Sequence, residues 1–283
     1  MLGTGVDDHT TDAACSRCRT QHSASDGMLA RGMAAITTPV DAARGAALNE
    51  QELWREMVRW SGGRIVEERG VLLVSGPSAY LRVAIRTDPG VGGSTVMATA
   101  TEFFAAEPGG FLVLVRQPDD EDIERAALAQ GFRAGWAERP MALTAAPVSR
   151  DVPDDIDVRR VADERAVVDY GRVVALANDD PGERERAPLL FHDETIVAPH
   201  IAAFVAYLGA EPVACAMTLV SHRVAGVFYV ATVEHARRRG LGDALTRIAA
   251  RAGFEMGAGL YRRIGFQELG STLVELEAPT GHY

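Results

Sequence analysis

Lysine is absent from this chain. All 29 basic residues are arginine, set against 39 acidic residues, for a formal charge of −10 over 283 residues. Without a lysine amine there is no internal Schiff base, which excludes pyridoxal-phosphate enzymes and lysine-type aldolases. The phosphate-loop lysine, the kinase strand lysine and the Ser-x-x-Lys acylases are excluded with it. Heavy use of Ala, Val, Gly and Arg is what a coding sequence rich in G and C produces. Cysteine is scarce: Cys15, Cys18 and Cys215 are an odd set and describe no disulfide framework. Cys15, Cys18 and His22 have partial zinc-ligand spacing, but a closed site needs four ligands and no second pair follows, so no metal is expected. Cys215 lies in an apolar strand pattern and reads as a small core residue. No apolar run approaches the roughly 20 residues that span a bilayer. The start, with Asp7, Asp8 and Asp12, is not a secretory signal. The acidic balance argues against nucleic acid and anionic membranes as partners. A cytoplasmic protein is expected.

What is present suits a globular chain: 47% hydrophobic and 24% charged residues. The length corresponds to about two domains of roughly 150 residues. Residues 1–45 lack periodicity and read as a disordered leader, with order beginning near Leu48. Residues 46–146 form a first unit: a helix ended by Gly62-Gly63, three short strands to Ile85, and a helix over Ser94–Ala106. It continues with a strand over Phe111–Arg116, a helix over Asp119–Gln130, and a strand through Arg139–Ala145. Ala146–Asp155 reads as a linker. Residues 155–278 form a second unit. Strands fall at Ile156–Val161, Ile201–Leu208, Val213–Ser221 and Val227–Val233, and helices at Ala162–Asn178 and from Gly240. Asp179–Pro188 reads as a charged loop, Leu260–Ile264 as a short helix, and Ser271–Glu277 as the last strand. The two units share an element order, with Gly131-Phe132 and Gly265-Phe266 as matching punctuation. This points to a degenerate duplication, with chance as the competing explanation.

The chemistry concentrates after Val233. An arginine-rich turn, Arg237-Arg238-Arg239-Gly240-Leu241-Gly242, runs straight into a helix. The first helical amides have no intrahelical partner and carry partial positive charge. Glycines admit an anion to the backbone, and arginines add bidentate donors. A dinucleotide fingerprint is the poorer reading, because the third glycine is missing and strand and glycine stand too far apart. A nucleic-acid patch is poorer still, since one triplet stands in an acidic chain. A structural loop without a ligand is the bland alternative.

Arg237-x-x-Gly240-x-Gly242 after a strand resembles the acyl-CoA signature of the GCN5-related N-acetyltransferase (GNAT) superfamily. Leu260-Tyr261-Arg262-Arg263-Ile264-Gly265-Phe266 resembles the family's Tyr-bearing short helix ending in Gly-Phe. The resemblance covers about 155–278, and the first half resembles the divergent partner domain of two-domain members. It implies an α/β fold of tandem GNAT-like domains, each a mixed, mostly antiparallel sheet flanked by helices. It implies acetyl-CoA as co-substrate and an amine as acceptor. The pyrophosphate would rest on Arg237, Arg238, Arg239, Gly240, Leu241, Gly242 and Asp243, and the pantetheine arm would lie along Ala231, Thr232 and Val233. A backbone amide there would polarise the thioester carbonyl. Tyr261 matches the proton donor to the departing thiolate. The family's strand Glu has no match within Val227–Val233, and Glu234 and His235 are the nearest candidates for proton acceptance.

One departure is structural. A helix from Gly240 to about Met256 is roughly 25 Å long at ~1.5 Å per residue. Only Gly257-Ala258-Gly259 precede Leu260, and three residues reach about 10 Å. The second domain therefore lacks one strand. Either the helix stops near Gly253 and Phe254–Ala258 form a ragged strand, or the strand is missing altogether. The expected function is acetyl transfer to an amine. The alternative is a catalytically impaired protein of the same fold, acting as a CoA-binding or scaffold module.

Overall fold

The computed structural model describes residues 39–138, 140–144, 147–178, 181–191, 198–256, 265–268 and 272–278. The chain opens with helix α1 (Pro39–Trp60) and strands β1 (Arg64–Glu68), β2 (Val71–Ser75) and β3 (Arg82–Arg86). Helix α2 (Gly93–Phe104), strand β4 (Leu112–Gln117), helix α3 (Glu121–Ala129) and strands β5 (Arg133–Glu138) and β6 (Met141–Thr144) follow. The second half holds β7 (Ile156–Arg160), α4 (Glu164–Ala177), α5 (Pro181–Leu190), β8 (Ile201–Leu208), β9 (Glu211–Ser221) and β10 (Val224–Thr232). It ends with α6 (Leu241–Met256), β11 (Gly265–Glu268) and β12 (Thr272–Glu277). Among the described residues, no helix is long and apolar enough to cross a membrane.

The strands do not stay within their own halves. One sheet has the order β1-β2-β3-β4-β12-β5, so the last strand of the chain lies between two strands of the first half. Leu276 faces Val113 on one side and Ala134 on the other, and both pairings are antiparallel. Reciprocally, β6 of the first half pairs with β11 of the second, Gln267 opposite Ala142. The remaining sheet is antiparallel, in the order β10-β9-β8-β7. Each half thus gives its final strand to the other, the intrachain counterpart of a domain swap.

Alternation explains why β12 fits where it does. Val274 and Leu276 point into a core with Val113, Val115, Phe132 and Ile123, under α2 and α3. The opposite face of this sheet, through Leu72, Val74, Ile85 and Leu114, meets Leu53, Trp54 and Met57 of α1. Helix α1 also packs on β9 and β10. It is wrapped by apolar partners along its second half, as its buried run Leu53, Trp54, Met57, Val58 requires. The Asn49 amide donates to Leu219 O at 3.1 Å and Ser221 Oγ at 2.7 Å, which ties this helix to the β9–β10 hairpin.

Several elements depart from the sequence reading. Helix α1 begins at Pro39, ahead of Leu48, because proline is at home in a first turn and the Ala-rich stretch after it favours helix. From Pro181 onward, the charged loop predicted over Asp179–Pro188 is helix α5. Its charges mask a buried end: Ala187 and Leu190 are buried with Phe191, which closes on Gly171 of α4 where a Cβ would stand 2.9 Å away. The strand predicted over Arg139–Ala145 is present as β6, and a further strand not foreseen, β5, precedes it on the other side of Pro140. Helix α6 continues through Met256, so the early-stopping outcome is not the one adopted. Residues 257–264, between α6 and β11, lie outside the described residues, and the missing-strand expectation and the short helix predicted over Leu260–Ile264 lie there with them.

Removing β12 would leave β4 and β5 without their shared neighbour. A chain ending at Glu268 is expected to lose cooperative thermal unfolding by circular dichroism. Leu276→Ala, which empties a fully buried site, is expected to cost about 2–5 kcal/mol and lower the melting temperature by about 4–15 °C. An unchanged melt in either variant would contradict the strand exchange.

Glu50 of α1 faces Glu138 of β5 and Glu275 of β12. Desolvation, with the like charges of those two carboxylates, pushes its pKa up to about 8 from 4.5. The folded state therefore holds a proton that the unfolded chain releases. The contribution is fully favourable below about pH 4.5 and is lost as pH rises towards 8. Glu50→Gln should raise the melting temperature at pH 8 by at least ~2 °C and leave it unchanged near pH 4.

Candidate active site

The site is built where β10 ends and α6 begins. Along β10 the pairing with β9 is regular up to Phe228 opposite Met217 and resumes at Ala231 opposite Cys215, so Tyr229 and Val230 form a bulge. Tyr229 takes a left-handed backbone, φ 50°, unusual for an aromatic residue. Three side chains brace it. The Tyr170 hydroxyl donates to Tyr229 O at 3.3 Å, the Cys215 thiol donates to the same oxygen at 3.4 Å, and the Tyr229 hydroxyl donates to Met57 Sδ at 2.8 Å. Burial pushes both the Tyr170 hydroxyl and the Cys215 thiol well above their ordinary values, so both stay protonated donors. Val230 is 41% exposed, which puts an apolar side chain in the open at the bulge. Among the described residues no strand pairs with the outer edge of β10.

The expected donor residues divide along this strand. Ala231 and Val233 pair inward with β9, Val233 N–H reaching Val213 O at 3.0 Å. By alternation, the Thr232 backbone faces the outer edge. A 3-10 turn over Glu234–Ala236 leads to the loop. Glu234 is exposed there, at the loop end of the strand rather than at the bulge, and its backbone carbonyl accepts Arg237 N–H. Neighbouring His235 pairs with Glu211 at 3.5 Å.

The loop then turns on two left-handed residues, Arg238 (φ 64°) and Gly240 (φ 80°). The first helical bond is Ala244 N–H to Gly240 O, at 3.0 Å, so the amides of Leu241, Gly242 and Asp243 precede the ladder and point out of the helix start. A Cβ on Gly242 would meet only Thr232 Oγ1, at 4.0 Å, so this glycine leaves open space rather than filling a tight contact.

The three arginines do different things. Arg237 donates to Thr232 O at 3.2 Å and to Ala177 O at 2.8 Å, pinning the strand end to the end of α4. Arg239 holds both oxygens of Asp155, at 2.5 and 2.7 Å, and that bond depresses the Asp155 carboxyl pKa. Arg238 is exposed and, among the described residues, has no acidic partner. It is the guanidinium of the three left available to an incoming anion. Asp243, in the first turn of α6, is bound by Arg150 and by Arg247, whose Nε donates at 2.8 Å. Those hydrogen bonds, Arg150 first, hold its carboxyl below the usual range. Tyr261 lies outside the described residues, as do Cys15, Cys18 and His22. Among the described residues no cluster of three or more His, Cys, Asp or Glu is placed to hold a metal.

The corresponding place in the first half is closed. Helix α2 starts at Gly93, and its amide donates to Asp122 Oδ2 at 2.6 Å. Arg86, at the end of β3, binds Asp120 and Asp122 and donates to Val91 O and Asp119 O. A carboxylate of the chain itself occupies the position that an external anion would need. The Tyr229–Val230 bulge is what sequence reasoning missed. No glycine marks it, and of its three braces two come from residues 170 and 57, far away in the chain.

Gly240 is the position where glycine is demanded. Ala there would hold a left-handed backbone and stand its Cβ 3.2 Å from Arg150 Nη2. Gly240→Ala is expected to cost about 1–2 kcal/mol, visible as a lower melting temperature. A neutral result would show that the loop relaxes.

Residues 171–270 match the family model described as Acetyltransferase (GNAT) family. No curated protein matches the chain. Among solved structures, the chain is similar to a GCN5-related N-acetyltransferase from Kribbella flavida. The TM-score is 0.61 at 19% identity, covering 82% of this chain and 96% of that one. It is also similar to a functionally unknown conserved protein from Staphylococcus epidermidis, with a TM-score of 0.53 at 14% identity, covering 77% and 94%. A Drosophila protein gives a TM-score of 0.52 at 14% identity, covering 83% and 90%. At these identities the likeness is one of fold.

Proposed function

We propose that this chain, which carries a GNAT-family domain over residues 171–270 on the fold of that family, transfers an acetyl group from acetyl-CoA to an amine. The observation that carries the reading is the continuity of one surface. The β10 edge, the bulge at Tyr229–Val230, the glycine-turned loop and the free amides of α6 follow one another without interruption. A thioester with a diphosphate at its far end suits that surface. The diphosphate takes the amides of Leu241, Gly242 and Asp243 and the guanidinium of Arg238. The arm lies along the outer edge of β10, past Thr232, Ala231 and Val230.

The chemistry asks little more of the protein. The amine nitrogen attacks the thioester carbonyl carbon, the C–S bond breaks, and the amine sheds one proton while the thiolate gains one. The bulge is the place where a strand amide can turn outward to meet the carbonyl oxygen, and its three braces keep it preorganised. Tyr261 is assigned the proton given to the thiolate, on the strength of its place in Leu260–Phe266. Glu234, the first carboxylate after the strand in sequence, is assigned the amine proton, reached through water. The chain contains no lysine of its own, so an acceptor side-chain amine comes from another molecule.

The test is release of free CoA thiol from acetyl-CoA over a panel of small amines and amino-sugar amines. Turnover above the spontaneous rate is expected for at least one. Tyr261→Phe should lower kcat about 100–10,000-fold with KM for acetyl-CoA unchanged. Tight acetyl-CoA binding with no turnover on any amine would overturn the transferase reading and leave a CoA-binding scaffold.

A further inference from the structure

Each half has an arginine where a strand gives way to a helix, and in each a carboxylate of the chain itself takes hold of it. In the first half the contact is sealed. Arg86 binds Asp120 at 2.5 Å, with side chains only 6% and 2% exposed. Opening it would leave a buried charge without its partner. In the second half Arg239 holds both oxygens of Asp155, at 2.5 and 2.7 Å, with side chains 30% and 57% exposed. A solvated pair of this kind opens readily and is weakened by salt. The same device therefore occurs twice, once shut and once able to open.

When the second pair opens, the arginine is the member free to move. Asp155 is the residue before β7, whose Ile156 pairs with Leu208, and the Ile156 amide donates to Pro153 O at 2.9 Å. Strand pairing and this turn fix the backbone beside the carboxylate. Arg239 instead carries a long, flexible side chain, two residues before Leu241, the first of the three leading amides of α6. Its guanidinium can serve the carboxylate or an anion resting on those amides, but not both with the same donors. Arg238 beside it is exposed, with no acidic partner among the described residues. The loop thus keeps one guanidinium ready and one engaged.

We infer that Asp155 is an autoinhibitory group: it holds Arg239 in the free protein, and an incoming diphosphate must take the guanidinium from it. The inference rests on the acetyl-CoA reading and adds a control that reading does not contain. Only molecules whose Arg239–Asp155 pair is open engage the anion fully, so the chain binds its donor less tightly than the loop by itself would allow. The pair also sets a threshold. A ligand must offer Arg239 more negative charge than one carboxylate does, which a diphosphate achieves and a monocarboxylate does not.

The experiment is calorimetry on the full chain with CoA and with inorganic pyrophosphate. Asp155→Asn should bind both about three- to fivefold more tightly, the upper scale of an exposed ion pair. Asp154→Asn removes an equal charge from the neighbouring exposed carboxylate, which has no ion-pair partner among the described residues. In ~0.15 M salt, where such a charge is largely screened, it should change affinity less than about 1.5-fold. In an Arg239→Gln background Asp155→Asn should add nothing, because the contested group is gone. Equal tightening by the two Asn variants would reduce the effect to net charge and overturn the inference. So would a gain from Asp155→Asn that persists with Arg239→Gln. Unchanged or weaker binding by Asp155→Asn would overturn it too, the weaker case making Asp155 an orienting partner of Arg239. These three outcomes leave the acetyl-CoA reading standing. Binding of neither CoA nor pyrophosphate, by the full chain or by Asp155→Asn, would overturn both.

Discussion

Everything in this molecule hangs on β12 lying between β4 and β5. Hydrogen bonding on both edges of that strand joins residues 272–277 to residues 112–117 and 133–138, so the first sheet cannot close until the end of the chain arrives. The pairing of β6 with β11 is the other half of the same exchange. Helix α1 completes the coupling, because it packs on β1 and β2 of one sheet and on β9 and β10 of the other. The halves are therefore one cooperative object, and the loop-closure entropy of bringing distant strands together is a cost that the shared core must offset.

This coupling reaches the candidate site. The bulge in β10 is held from three directions: by α4 through Tyr170, by β9 through Cys215, and by α1 through Met57. A left-handed tyrosine is costly on its own and persists because its surroundings over-determine it. Met57 belongs to the first half of the chain, so the geometry of the second half's strand depends on packing from the first. The two halves do not present equivalent helix starts. In the first half Asp122 caps α2 and Arg86 is consumed by Asp120 and Asp122, whereas among the described residues no carboxylate accepts from the leading amides of α6.

The turn into α6 was legible in the sequence because the backbone builds it. Gly240 is required where φ is positive, Gly242 leaves space, and a helix start follows; all of this is carried by neighbours in sequence. What the arginines do was not legible. Arg237, Arg238 and Arg239 look alike in a row, yet one pins Ala177 and Thr232, one is held by Asp155, and one is left exposed. Helix α5 was misread because Pro181, Gly182 and alternating charge look like a loop, and only the burial of Ala187, Leu190 and Phe191 against α4 makes it a helix.

The sequence by itself determined the local matters: an arginine-only basic set, and at Arg237–Gly242 a glycine-turned loop that runs straight into a helix. Periodicity, glycine placement and helix starts are short-range properties, encoded within a few residues. Only the tertiary structure decided which strand each half would keep, where β10 would bulge, and which arginine would remain available. Alternation in Thr272–Glu277 says that Val274 and Leu276 share a face. It does not say whose core they enter, since backbone hydrogen bonds accept any strand of suitable register, and the choice between partners is made by packing across the whole fold.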